Sequence, residues 1–176
     1  MHRQSIRLGT YDYSRKGAYF FTICSWKREC LFGEIVDGNI HLNENGRVVT
    51  QEWNRSTAIR REIELDEFIV MPNHIHGILS IHTDVVGANG RSPLHTPAPG
   101  LRMKPKSLSS FVAGFKSAVT KRINEIRVTP GLPVWQRNYY EHIVRNMEEM
   151  NRIREYIQNN PMKWEMDENN PNHVNM

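Results

Sequence analysis

Residues 62–81, EIELDEFIVMPNHIHGILSI, hold two strand-forming runs separated only by Pro72 and Asn73. Both runs are rich in Ile, Val, Leu and Phe, and the two residues between them favour a tight turn. An antiparallel strand pair is therefore expected, and every other element must pack around it. Upstream, GAYFFTICS at 17–25 is aromatic and β-branched and reads as a buried strand. In EIVDGNIHL at 34–42, Asp37-Gly38 supplies the positive φ angles of a two-residue β-hairpin turn. NENGRVVTQEWNRSTAIRRE at 43–62 reads as a helix with Val48, Val49, Trp53 and Ile59 on its apolar side.

Downstream, Ser107 is a candidate N-cap for SLSSFVAGFKSAVTKRINEI, in which Leu108, Phe111, Val112, Phe115, Val119 and Ile123 recur at helical spacing. VWQRNYYEHIV at 134–144 is strand-like. Asn146 and Glu149 look like a capping pair opening a last helix, which Pro161 ends. The order strand, helix, strand, strand, helix, strand, helix predicts an α+β sandwich: one mostly antiparallel sheet packed by helices. The ferredoxin-like arrangement is the simplest small fold with that order. At 176 residues the chain is expected to be a single domain, 1–176, with a Gly- and Pro-rich loop at about 82–106 and a polar tail at about 162–176.

Composition narrows the class. A hydrophobic fraction of 39% with 24% charged residues is that of a globular chain. No run approaches the roughly 18–20 apolar residues of a membrane span. The N-terminus, MHRQSIRLGTYDYSRK, lacks the apolar core of a signal peptide, so a cytoplasmic location is expected. Cys24 and Cys30 are then expected as free thiols. The net charge of +4 is unevenly spread: residues 101–128 carry Arg102, Lys104, Lys106, Lys116, Lys121, Arg122 and Arg127 against Glu125 alone. That is either a solvated helix face or an electrostatic footprint for phosphates.

His74 and His76 stand two apart on a strand and so project from the same face. Ile75, Leu79 and Ile81 then take the other face, toward the core. Two adjacent imidazoles can share one ion, and with a carboxamide or carboxylate plus waters presented octahedrally they suit Mg²⁺ or Mn²⁺, though imidazole also takes Zn²⁺. They can equally be a hydrogen-bonded pair with no ion. No CxxC or HExxH accompanies them. In EYIQNNP, Tyr156 and Asn160 lie four apart on one helical face. If that helix docks beside the strand, Asn160 can offer its carbonyl oxygen as a third ligand and Tyr156 can face whatever the ion polarises. Otherwise Tyr156 borders the apolar stripe of Ile153 and Ile157.

Together these segments resemble the REP-associated tyrosine transposases, in the wider group of single-tyrosine transposases with a histidine–hydrophobe–histidine motif. The resemblance rests on RLGTYDYSRKGAYFFTIC at 7–24, FIVMPNHIHGIL at 68–79, FKSAVTKRIN at 115–124, and VWQRNYYEHIVRN followed by YIQNNP. It implies a ferredoxin-like domain that cuts and rejoins single-stranded DNA beside hairpins. It implies His74 and His76 as ligands of a divalent Mg²⁺ or Mn²⁺, Asn160 as the helix-borne third ligand, and Tyr156 as the nucleophile, forming a 5′-phosphotyrosine intermediate. Tyr139 and Tyr140 are the competing tyrosines, and His142 is a supporting residue. DNA contacts are expected from Arg3, Arg7, Arg15 and Lys16 and from the helix carrying Lys116, Lys121 and Arg122. Tyr11, Tyr13 and Trp26 are candidates for base stacking, with core packing the more natural role for Trp26. Relatives act as monomers or as homodimers, and both remain open. The rival reading is a non-catalytic module that binds structured DNA or RNA.

Overall fold

The computed structural model describes residues 16–82 and 106–171. Six strands and three helices follow in the order β1 (Gly17–Cys24), β2 (Gly33–Val36), β3 (Asn39–Leu42), α1 (Glu44–Ile59), β4 (Ile63–Val70), β5 (His74–Ile81), α2 (Leu108–Arg127), β6 (Tyr140–Val144) and α3 (Met147–Gln158). Short 3-10 turns occupy Trp26–Arg28 and Pro161–Met166. The main sheet runs β4-β5-β1-β6, and every neighbouring pair is antiparallel. Strands β2 and β3 form a separate two-stranded hairpin. With that hairpin set aside, strand, helix, strand, strand, helix, strand with the first and third strands central is the ferredoxin-like topology.

The local signals explain the elements. Asn43 caps α1 by accepting from the Gly46 N–H, Ser107 caps α2 by accepting from Ser110, and Asn146 caps α3 by accepting from Glu149. Asp37 and Gly38 take φ of 49° and 71°, the left-handed pair that a two-residue turn between β2 and β3 requires. Residues 134–139 join β6 less regularly than expected: Trp135 makes a single bridge to Ser25, and the strand proper starts at Tyr140.

Strand alternation divides the sheet into two faces. Tyr19, Phe21 and Ile23 of β1 and Ile75, Leu79 and Ile81 of β5 meet Val48, Val49 and Trp53 of α1 and the apolar stripe of α2. This is the main core. Ile59 is not part of it: at the last turn of α1 it is 66% exposed. The opposite face carries Phe20 and Ile78, covered by Met150 and Ile157 of α3. His74 and His76 belong to this second, thinner layer.

Gly46 shows how tightly the first layer closes. A Cβ there would lie 2.1 Å from the Phe32 carbonyl oxygen, a backbone atom that cannot swing aside. Gly46→Ala gains about 1 kcal/mol of helix propensity. It is nevertheless expected to destabilise the fold by roughly 2 kcal/mol or more, because overpacking forces the β2 entry away from α1. A urea denaturation midpoint that rises on substitution would refute this.

The expected loop at 82–106 and Arg3, Arg7, Arg15, Tyr11 and Tyr13 lie almost wholly outside the described residues, Lys106 and His82 excepted. The expected polar tail at about 162–176 begins in a 3-10 turn, Pro161–Met166, that packs back on the β2–β3 hairpin, with Met162 beside Gly38. Neither Cys24 nor Cys30 is in a disulfide among the described residues. Among the described residues no helix is long and apolar enough to cross a membrane.

Candidate active site

His74 and His76 are both buried, at 0% and 2% exposure, on the α3 face of the sheet. Asn73 fixes the first. Its amide donates to the carbonyl oxygens of Arg28 (3.0 Å) and Asn169 (2.6 Å), so its Oδ1 meets His74 Nδ1 at 2.9 Å. His74 therefore carries its proton on Nδ1, and Nε2 keeps a free lone pair. His76 Nδ1 lies 2.8 Å from the Thr22 hydroxyl, its cross-strand partner on β1. A hydroxyl can donate or accept, so Thr22 serves either tautomer of His76.

The two Nε2 atoms face each other at 3.0 Å. Burial holds both imidazoles neutral: the His74 pKa is lowered to about 4 by desolvation, against the pull of Asp167, and His76 is pushed down by burial and then by His74. Neutral imidazole is the form that binds metal. Two nitrogens at right angles around an ion with bonds of about 2.1 Å stand about 3.0 Å apart, so the donor pair fits an octahedral cation.

A carboxylate completes the cluster. Asp167 Oδ2 lies 3.8 Å from His74 Nε2, and ligand atoms of His74, His76 and Asp167 all fall within 4.8 Å of one another. Asp167 lies in the stretch expected as a polar tail and is not among the expected ligands. The residues that bring it back are Asn73, bonded to Asn169 O, and Arg28, bonded to Glu168 O. Asn160, the expected third ligand, is 3% exposed just past α3, and its Oδ1 has no hydrogen-bond partner among the described residues. A buried acceptor without a donor costs roughly 1–3 kcal/mol, which a cation would offset.

Tyr156 comes to the same place. Its hydroxyl lies 3.4 Å from His76 Nε2, and the phenol is 45% exposed. Phe20 packs edge-on against its ring, at 6.1 Å between centroids, and stacks on His76 at 5.6 Å. Helix α3 is pinned by Arg154, two residues before Tyr156, whose Nε and Nη2 reach the two Asp66 carboxylate oxygens at 2.8 and 2.5 Å. Asp66 sits at a register irregularity in β4, between Leu65 and Phe68, and the guanidinium holds its carboxyl below the usual range. The competing tyrosines separate. The Tyr139 hydroxyl donates to Ser109 on the α2 side, whereas Tyr140 lies on the histidine face, edge-on to Phe20. His142 pairs with Glu149 at 2.8 Å.

The expected DNA-binding cations are dispersed. Lys16 is exposed at the start of β1. Lys121 is exposed on α2, within 4.0 Å of Glu125. Arg122 bonds Glu52 and Gln51, tying α2 to α1. Lys116 donates to the carbonyl oxygens of Gln136, Arg137 and Asn138, and burial lowers its pKa to about 8. These three lie on α2, across the sheet from the histidines. Trp26 is not a core residue: it is 41% exposed.

The buried histidines give a pH signature. Above pH 6.5 the imidazole is neutral in both folded and unfolded chains, and its folded-state pKa of about 4 has no effect. As pH falls from 6.5 toward about 4, only the unfolded chain takes up the proton, so stability falls. In chelator, the melting temperature is expected to decline across that window, and more shallowly in His74→Gln. Equal slopes for the two proteins would count against buried neutral imidazoles.

No protein-family model matches the sequence. A Haemophilus influenzae protein described as uncharacterized is 44% identical over 172 residues, spanning 95% of this chain and 92% of that one. Among solved structures, the REP-associated tyrosine transposase bound to a REP hairpin aligns with a TM-score of 0.57 at 22% identity, over 87% of this chain and 72% of that one. A Deinococcus radiodurans R1 structure, 19% identical, aligns more loosely, with a TM-score of 0.45 over 85% of this chain and 93% of that one. The chain belongs to one family with the Haemophilus influenzae protein, and its fold is that of the REP-associated tyrosine transposase.

Proposed function

We propose that the chain is a divalent-metal-dependent transposase that cuts and transfers single-stranded DNA beside a hairpin. The observation that carries this reading is the 3.4 Å approach of the Tyr156 hydroxyl to the buried His74–His76 pair within one chain. In this reading Tyr156 is the nucleophile, and His74 and His76 hold Mg²⁺ or Mn²⁺ with Asn160 or Asp167 as a third ligand. The ion, when bound, neutralises charge on the phosphate oxygens as the transition state forms.

The protein's own part is placement. Phe20 and the Arg154–Asp66 pair hold the phenol at the metal-binding face, so attack on phosphorus is close to unimolecular. The phenol, with an ordinary pKa of about 10, gives up its proton as its oxygen bonds to phosphorus. The phosphorus–oxygen bond to the 3′ carbon breaks, and the departing oxygen takes a proton to become a free 3′-hydroxyl. The product is a 5′-phosphotyrosine, and a second 3′-hydroxyl can reverse the step without ATP. Arg3, Arg7, Arg15, Lys16 and Lys121 are assigned to phosphate contacts. Lys116 and Arg122 hold α2 in place and are at most secondary contacts. A single domain acting in the cytoplasm is consistent with this work, and one chain supplies both the tyrosine and the histidines.

The test is a hairpin oligonucleotide with unpaired, end-labelled flanks, incubated with the protein and Mn²⁺ or Mg²⁺ and run on a denaturing gel. A protein-sized label that disappears with chelator supports the reading. Tight binding with no covalent product under either metal would instead make this a binding module.

A further inference from the structure

The rings around the site form a continuous row. Tyr140 packs against Phe20 at 6.1 Å, Phe20 stacks on His76 at 5.6 Å, His76 meets His74 at 4.6 Å, and His74 meets Trp164 at 6.1 Å. Tyr156 stands over the middle of the row, 5.2 Å from His76 between centroids. The interior members are buried and the ends are not: Tyr140 is 43% exposed and Trp164 is partly open. Tyr140 is also held. Its backbone pairs with Thr22 in the β1–β6 register, and Phe20 braces its ring edge. A half-exposed aromatic whose orientation is fixed from below loses little entropy when something flat is laid on its open face.

We propose that Tyr140 and Trp164 are stacking platforms for the unpaired nucleobases on the two sides of the phosphate that Tyr156 attacks. The inference rests on the strand-transfer reading, which places that phosphate between them. Every base has a flat π face, so an aromatic platform grips a single strand without requiring a particular sequence. A paired duplex has no free base faces to offer. The row thus selects for unpaired flanks on either side of the reacting atom. Tyr140 acts through its ring and takes no covalent part.

Two probes separate this from its parent: one DNA hairpin with thymidine flanks, and the same hairpin with abasic flanks. Both are measured by fluorescence anisotropy in chelator with the full chain. The wild type is expected to bind the thymidine-flanked probe more tightly. Tyr140→Ala is expected to lose about tenfold in affinity for that probe and none for the abasic one, with Tyr140→Phe and Tyr140→Trp restoring it. Trp164→Ala is expected to behave as Tyr140→Ala does, and Trp164→Phe to recover most of the loss. Tyr140→Ala binding both probes as the wild type does would overturn the proposal. So would a wild type indifferent to the abasic flank. A separate arm, wild-type protein with Mn²⁺ on the denaturing gel, reports on strand transfer itself. An adduct formed without flank discrimination sinks only the stacking; discrimination without an adduct sinks only the chemistry.

Discussion

Tyr156→Phe is expected to abolish the covalent protein–DNA product and to leave hairpin affinity within about twofold of the wild type. The substitution removes one oxygen and keeps the ring. The edge-on contact with Phe20 and the contact with His76 both survive, and so does the Arg154–Asp66 pair that seats the helix. The lost hydroxyl contact is long, at 3.4 Å, and half open to solvent, so the fold should lose less than about 1 kcal/mol. The effect on chemistry is large because, among the described residues, neither Tyr139 nor Tyr140 can substitute without repositioning. The Tyr139 hydroxyl is directed to Ser109 on the other side of the sheet. Tyr140 is on the correct face, yet its contact is with Phe20 and not with the histidines. Tyr139→Phe and Tyr140→Phe should therefore retain the product. Persistence of the product in Tyr156→Phe, with its loss in Tyr140→Phe, would move the nucleophile to β6.

What could be read from the chain was whatever depends on near neighbours. The alternation in β5 put His74 and His76 on one face and Ile75, Leu79 and Ile81 on the other, as the two hydrophobic layers bear out. Helical spacing found the six buried apolar residues of α2, because each is buried by the same sheet. Caps found the starts of α2 and α3. Ile59 failed for the same local reason: it fits the helical stripe of α1, but the helix runs past the edge of what it covers.

Long-range returns of the chain left no such trace. Asp167 reaches His74 only because the backbone after Pro161 turns and Asn73 and Arg28 catch carbonyl oxygens in it, and backbone acceptors carry no sequence signature. Asp66 points at Arg154 through an irregularity in β4 that a regular alternation would not anticipate. Charge was the least informative signal. Lys116 counted toward a phosphate-binding face, but its ammonium is occupied by three carbonyl oxygens of the segment leading to β6. A lysine reads the same in sequence whether it faces solvent or ends a loop.

His76→Ala is the second large expected effect: Mn²⁺ binding, measured by calorimetry on the protein alone, should weaken by more than about a hundredfold. The basis is the 3.0 Å separation of the two Nε2 atoms. Among the described residues their other neighbours are the Tyr156 hydroxyl, 3.4 Å from His76 Nε2, and Asp167 Oδ2, 3.8 Å from His74 Nε2, and neither explains holding two lone-pair donors so close unless a proton is shared between them. Deleting one removes half of the nitrogen donor set and leaves a single imidazole, which binds divalent ions weakly. Disturbing even an outer-sphere partner commonly costs 10- to 100-fold, so loss of a direct ligand should exceed it. Thr22→Val, which removes the hydroxyl on His76 Nδ1, is then expected to fall in that intermediate range. The same measurement divides the third position. If Asp167 is the ligand, Asp167→Ala weakens Mn²⁺ about as much as His76→Ala, and Asn160→Ala changes it little. If the unpartnered Asn160 Oδ1 is the ligand, the two results exchange. Wild-type Mn²⁺ affinity in His76→Ala would mean that the histidine pair is a proton-sharing contact inside a dry layer, and the tyrosine beside it would then have no ion to work with.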